Sequence, residues 1–519
     1  MDDPSGSHRV GESIELQIRP VTQDKTDDLQ SGEEISCDIR KQEPGASEEE
    51  RAPGAGARLE EYKSKPLFRT YFLEFVMAFY TLGIVIYGIP LSSLMFEKNC
   101  LYAAGLNASV CSDLEAQEGH IKNPILGQAS FYSTLRDVVQ NVPAALAAVI
   151  IGNYLTRYGF RTPLLVTLVG GFLTSFCHLL TAFYMPAPLI FNALADLPGS
   201  FAGGSIVIST AVYTNIALRV PESLRLFRMT AMSLCMGIPA FIAVSSGATL
   251  SAMFGIKVLL SFSAMILTIP TVLVIFFLED IDTPKENKDD TWREAIWLSL
   301  KNGLKTSINA ISLERPDRKR TQIIIMMICI ATSSIGMQAK SGSLAYAHLK
   351  SVLKFKESDY AKYATIAMIL GIGCLFPLVA LSKKLKLSAP LMVCFGMACT
   401  VAKFVMLALT EFSENLFYIQ IFVSIPYSLS PLSARSHLTG LVEKSEVSVV
   451  MSLSALIEKL VPLLSGPLST YVFTMTSSYF PGCYYLMIGG AYIIPLGLSL
   501  YCAWIIRGNR RKEGACTHL

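Results

Sequence analysis

From Tyr71 to Ile506 the chain alternates long apolar runs with short polar turns. A helix rises ~1.5 Å per residue, so ~20 apolar residues cross a hydrocarbon core ~30 Å thick. No water reaches the peptide groups at that depth, so each run must satisfy its own backbone as a helix. Twelve such helices are predicted, at approximately 70–96, 129–155, 163–185, 187–217, 229–253, 256–278, 321–345, 359–381, 389–410, 415–437, 446–474 and 479–506. Pro90, Pro143, Pro198, Gly203, Gly204, Pro239, Pro462 and Pro467 fall inside these runs. In a membrane bundle such residues predict kinks and close helix contacts.

Composition agrees. The 519 residues are 51% hydrophobic and only 16% charged, and the mean hydropathy is +0.44. A soluble chain of this length carries roughly a quarter charged residues, so that class is excluded. The polar residues are concentrated at the start. Residues 1–69 hold sixteen acidic and ten basic side chains with many Gly, Ser and Pro, and are expected to be a disordered cytosolic leader. The leader is acidic and its first apolar run is long and far in, so it is not read as a secretory signal. The remaining organisation is six helices over 70–278, a charged connection over 279–320, six helices over 321–506 and a basic tail over 507–519. Within the connection, Trp292, Ile296, Trp297, Leu300 and Leu304 recur near helical spacing, which predicts an amphipathic helix on the inner membrane surface.

Lys and Arg in short loops set orientation. With the leader in the cytosol, that side receives Arg157 and Arg161, Arg219, Arg225 and Arg228, Lys383, Lys384 and Lys386, and Arg507, Arg510, Arg511 and Lys512. Lys350, Lys354 and Lys356 fall on the other side, but they are outnumbered. Both termini are therefore expected inside, in the plasma membrane or the lysosomal membrane. Asn107-Ala-Ser is the sole Asn-X-Ser/Thr sequon and lies in the outer loop 97–127, where glycosylation is expected. Cys100 and Cys111 share that loop on the oxidising side and are candidates for a disulfide, with Cys483 as a competing partner.

One short turn carries more information. Gly152 to Val166, GNYLTRYGFRTPLLV, joins the second and third apolar runs. It resembles the cytosolic signature Gly-X-X-X-Asp-Arg-X-Gly-Arg-Arg of the major facilitator superfamily, with matches at Gly152, Arg157, Gly159 and Arg161. The arginines are suited to bonding helix C-terminal carbonyls or a carboxylate. Thr156 stands in place of the Asp and Phe160 in place of the first of the final basic pair, so a latch built on that Asp is not expected. GFRTPLLV (159–166) has a weak echo in KLSAPLMV (386–393), at the corresponding turn of the second half.

Further segments, LRLFRMTAMSLCMGIPA (224–240), SIPYSLSPLSARSHLTGLVEKSE (424–446) and YFLEF (71–75) with Glu74, resemble the proton-coupled folate transporter family, solute carrier family 46. The resemblance implies an all-α membrane protein, with twelve transmembrane helices in two six-helix halves, the major facilitator fold. It also implies a secondary-active transporter that moves a small organic anion (folate-like, conjugate or muropeptide-like) by alternating access, with protons as candidate co-substrate. Arg435 matches that family's tenth-span arginine. Two features depart: Ser233 occupies the position of the folate branch's fifth-span glutamate, and no histidine lies between Thr321 and Ala347.

Charged residues inside spans cost several kcal/mol and usually face a cavity or a partner. Arg136 and Asp137, Asp196, Lys403, and Glu458 and Lys459 are of this kind, with Lys340 near the outer end of span seven. Glu458 or Asp137 reads as the titrating coupler, and Arg136, Lys459 and Arg435 as attractors of an anion, with Asp196 and Lys340 as further binding or coupling candidates. The competing reading pairs these charges structurally. Neighbours on a helix point ~100° apart, so Glu458 and Lys459 cannot face one spot. Arg435 lies near the inner end and reads as a gating residue. His178 reads as a packing group, and His437 as a solvated residue at the cytosolic border. No nucleotide loop, metal-ligand spacing or nucleophile elbow appears, so no enzyme, cofactor or metal is expected. Small organic anions and membrane lipid, not nucleic acid, are the expected partners. The alternatives are a non-transporting receptor or scaffold on a transporter fold, and an uncoupled facilitator. Deleting residues 1–60 separates a carrier from a scaffold, since uptake survives that loss only in a carrier.

Overall fold

A computed structural model describes residues 67–107, 111, 119–278, 292–341, 343–353, 357–476 and 479–516. Residues 1–66 of the leader and the acidic start of the central connection lie outside these residues. Every regular element described is helical. Among the described residues, twelve helices are long and apolar enough to cross a membrane. Spans 1 to 6 are Tyr71–Ala103, Phe131–Leu155, Arg161–Phe183, Ile190–Arg219, Glu222–Gly247 and Ile256–Phe277. Spans 7 to 12 are Pro316–Met337, Lys362–Lys384, Ala389–Glu411, Glu414–Leu441, Val447–Thr476 and Cys483–Gly508. Each group of six packs chiefly on itself, and the groups meet most extensively where span 2 lies along span 11.

The bundle has two faces. The end face carries the 159–160 turn and both ends of the twelve-helix array. The loop face carries Asn107 and the Cys100–Cys111 disulfide. Cys483 is a free thiol, so the competing pairing does not form. Helices outrun their apolar cores at this face: the helix of span 2 begins at Gly119, ten residues before the predicted run. Intrahelical hydrogen bonds persist where the chain leaves lipid.

Where the helices break differs from a reading of proline alone. Pro239, Pro462 and Pro467 stay within continuous helices, as does Pro143. Span 4 breaks instead, into Ile190–Leu194, Leu197–Phe201 and Gly204–Arg219. Gly203 there has φ +84°, and a Cβ would collide with Val207 Cγ2, so only glycine fits. The corresponding span of the second half, span 10, also breaks, at a 3₁₀ turn over Ile425–Ser428. Spans 1, 8 and 12 are interrupted at 86–87, Cys374 and Tyr492.

The connection forms a helix, Trp292–Ser312, lying against spans 2 and 11 at the end face. Its small residues Ser299, Gly303, Ser307 and Ala310 are buried. Trp297 is exposed, away from the bundle. The turn after it is fixed by Arg315, whose Nη2 lies 2.6 Å from Glu446 Oε2 at the start of span 11.

At the loop face, the short helix Ser343–Val352 buries His348 completely. Its Nδ1 stands 3.2 Å from the Pro481 carbonyl, and its Nε2 stands 3.4 Å from Thr410 Oγ1. The ring packs edge-on against Tyr485. Burial pushes the imidazole down to about 4. Between that value and its ordinary 6.5, the unfolded chain holds a proton that the folded chain refuses. Stability therefore falls as pH drops from about 6.5 to 4, by up to ~3 kcal/mol for this group. His348→Gln is expected to flatten the pH dependence of the melting temperature across that window. An unchanged slope would show that other groups carry it.

Candidate functional site

The break in span 4 delivers Asp196 to the bundle interior. It is 3% exposed and receives two partners from other spans. The Arg136 guanidinium of span 2 is hydrogen-bonded to Oδ2. His178 of span 3 places Nε2 3.1 Å from Oδ1. His178 is fully buried, and its Nδ1 has no hydrogen-bond partner. Tyr87, in the interruption of span 1, sets its ring 5.6 Å from the imidazole. A buried carboxylate needs such partners, because an unpaired charge at this depth is strongly unfavourable.

Asp196 also borders a cavity of about 50 Å³ between the halves. Tyr80, Gln140, Asn141 and Thr174 line it from the first half, and Lys459 enters from span 11. Asp137 is exposed beside Arg136 and in electrostatic reach of Lys459. Glu458 turns the other way and meets Arg435 of span 10 in an ion pair. Arg435 also donates to Tyr213 Oη of span 4, at 3.3 Å, and lies 4.7 Å over that ring. This cluster joins the two halves.

On the end-face side of the cavity the halves are closed. Ala144 and Ala148 of span 2 pack against Ala455 of span 11, small residues that allow close helix approach. Ser448 donates to the Gly152 carbonyl. Arg225 of span 5 donates to Thr439 Oγ1 of span 10 at 3.4 Å, and Phe227 meets Phe376 of span 8 edge-on. At the turn itself Gly159 has φ +96°, and Arg161 donates to the Ile275 carbonyl in the last turn of span 6, at 2.8 Å. Arg157 and Lys340 are placed on the final turns of their helices; their side chains lie outside the described residues.

Residues 126–462 match the sequence profile of the Major Facilitator Superfamily. The chain belongs to the major facilitator superfamily. It is 23% identical over 415 residues to the lysosomal proton-coupled steroid conjugate and bile acid symporter SLC46A3 of Gallus gallus, covering 78% of this chain and 86% of that protein. Among solved structures it is similar to the human organic anion transporter MFSD10, with TM-score 0.63, 13% identity, and coverage of 84% of this chain and all of that one. A second similar fold is the superfamily transporter FucP in its outward conformation, with TM-score 0.58, 12% identity, and coverage of 83% and 99%.

Within this superfamily fold, several contacts are not legible from single positions. Arg136 and Asp196 are sixty residues apart, and Arg435 and Tyr213 are 222 apart. Glu74 is paired with Arg228, whose Nη2 stands 2.6 Å from Oε1, while the Arg228 guanidinium lies 3.7 Å over the Tyr71 ring. His437 is not solvated as expected: Nε2 stands 3.1 Å from Gln322 Oε1, because span 10 runs against span 7 there. Lys403, 2% exposed, lies over Phe404 and Tyr427 in the second half and does not line the cavity.

Proposed function

We propose that the protein is a symporter for small organic anions that carries its substrate through the cavity between spans 2, 4 and 11. The observation that supports this most is the meeting of Lys459 from one half with Asp196, Asn141 and Gln140 from the other around one cavity. A site made by both halves exists only while they are together, so its occupant is handed over when they rock apart. Lys459 supplies the positive charge that an anion needs, and Asn141 and Gln140 supply neutral donors and acceptors. The likeness to a steroid conjugate and bile acid symporter favours an amphipathic sulfate or carboxylate over a sugar. In this reading the end face is cytosolic, Asn107 is glycosylated on the opposite side, and the membrane is that of an acidic organelle or the cell surface. The chain without residues 1–60 is then sufficient for uptake; the leader is accessory.

The test is uptake of a labelled steroid sulfate, folate or muropeptide into liposomes that hold the full chain, across a pH gradient. Lys459→Gln is expected to weaken the transported anion's affinity. A charge-assisted hydrogen bond is worth about 1.5–3 kcal/mol, or roughly 10–100-fold. Inserted protein that carries none of the three anions would overturn the reading, and an unchanged affinity in Lys459→Gln would remove this lysine from the site.

A further inference from the structure

We propose that His178 and Asp196 together form the proton-carrying dyad of the carrier, and that Arg136 moves between Asp196 and the substrate anion. The inference rests on the anion-symport reading above and names the groups that would couple it to protons. In the sequence, Glu458 and Asp137 are the candidate couplers. The structure commits Glu458 to Arg435, which also holds Tyr213, and leaves Asp137 exposed. Asp196 differs from both, because it borders the cavity and is backed by a second titratable group.

The geometry assigns the parts. Neutral His178 donates its Nε2 proton to Asp196 Oδ1, which leaves the Nδ1 lone pair buried without a partner. A proton arriving through the cavity therefore has two acceptors in one dyad, the Asp196 carboxylate and the imidazole behind it. Whichever holds it, Asp196 ceases to neutralise Arg136 alone. An anionic oxygen can then take the guanidinium, and on release Asp196 regains it and the proton leaves. No bond other than the proton's is made or broken.

Charge around the dyad supports one proton per monovalent anion. Asp196 of span 4 and Lys459 of span 11 line the cavity, Arg136 of span 2 bonds Asp196, and Asp137 lies in electrostatic reach of all three, so two positive groups balance two negative ones while the histidine is neutral. One added proton leaves a single positive charge, which one anionic group cancels. The other packed elements leave this balance in place. Span 1 presents the Tyr80 and Tyr87 rings, and its Lys98 holds Asn192 Oδ1 at 3.2 Å, one turn before Asp196. Span 6 packs Ser263 on Ser175, and its Lys257 lies away at the Phe183 ring. The break at 195–196 gives Asp196 a backbone that can shift without unwinding a continuous helix.

The experiment uses the full chain in liposomes and a labelled steroid monosulfate, read as net accumulation under a pH gradient and as counterflow without one. Wild type is expected to accumulate the probe about tenfold per unit of pH, the ratio for one proton per anion. Asp196→Asn is expected to lose pH-driven accumulation, and whatever counterflow it retains is expected to be independent of pH. His178→Gln is expected to move the pH midpoint of uptake, whatever its maximal rate. His178→Asn provides a second variant if Asp196→Asn does not reach the membrane. A wild-type pH profile and accumulation in these variants would overturn the dyad. Counterflow without accumulation in wild type would also overturn it while leaving anion transport standing. Neither activity in wild type would overturn the transport reading itself.

Discussion

Replacing Arg435 with Leu is expected to abolish uptake and to lower the stability of the folded chain by about 1–3 kcal/mol, the cost of leaving a half-buried polar group without its partner. Glu458 lies beside Arg435 on the neighbouring span, and Tyr213 Oη accepts from the same guanidinium across the boundary between halves. Removing the cation leaves the half-buried carboxylate without its partner. Removing both charges has a different effect. Apolar residues of similar volume in place of a buried pair are often neutral or stabilising. Arg435→Leu/Glu458→Leu is therefore expected to regain most of the lost stability, measured as thermal unfolding in detergent, and to remain unable to transport. The link to Tyr213 is absent in both variants, and that link is what ties span 10 to span 4 when the end face is shut. If the double variant transports at the wild-type rate, the Arg435 cluster is a structural pair and has no part in rocking the halves.

Gly152→Val is expected to shift the carrier toward the state open at the end face. A Cβ at Gly152 would stand 2.7 Å from Ser452 Oγ and 3.2 Å from Val449 Cα. The serine can rotate, but the span 11 backbone cannot recede while Ser448 holds the Gly152 carbonyl and the Ala144–Ala148–Ala455 contact stays closed. Overpacking of this kind costs typically about 1–3 kcal/mol, and it acts only on the state in which the two helices touch. At about 1.4 kcal/mol per decade, the closed state should lose ~5-fold at the lower end, and more than ~100-fold at the upper end, in population. An Asn141→Cys reporter in the cavity reads the change. Thiol labelling from the loop face is expected to fall, and labelling from the end face to rise. Equal labelling whether glycine or valine occupies this position would mean that the tight contact here does not limit opening.

The different legibility of these two positions follows from what each depends on. Gly152 stands out in the sequence because a signature turn is a local pattern, with Gly159 and Arg161 at fixed offsets. What the local pattern omits is the partner: Ser448 is 296 residues away. Arg435 is likewise visible as a charge in a span, and the ~100° between helix neighbours already separates the directions of Glu458 and Lys459. That Glu458 takes Arg435, leaving Lys459 for the cavity, depends on how spans 10 and 11 are rotated. His178 reads as a packing residue because one histidine among apolar neighbours carries no sign of a carboxylate eighteen residues later. The turn between spans 3 and 4 and the break at 195–196 fold that carboxylate back to it.

Apolar run lengths and the positions of charge are enough to specify the membrane class, the twelve spans and the inventory of charges at lipid depth. Each of these follows from the cost of exposing backbone or charge to hydrocarbon, which acts residue by residue along the chain. Which charges neutralise one another, which is left to the cavity and where a span breaks are settled only by packing. Pairing at depth is set by helix rotation and by contacts between distant segments, and no local pattern records either.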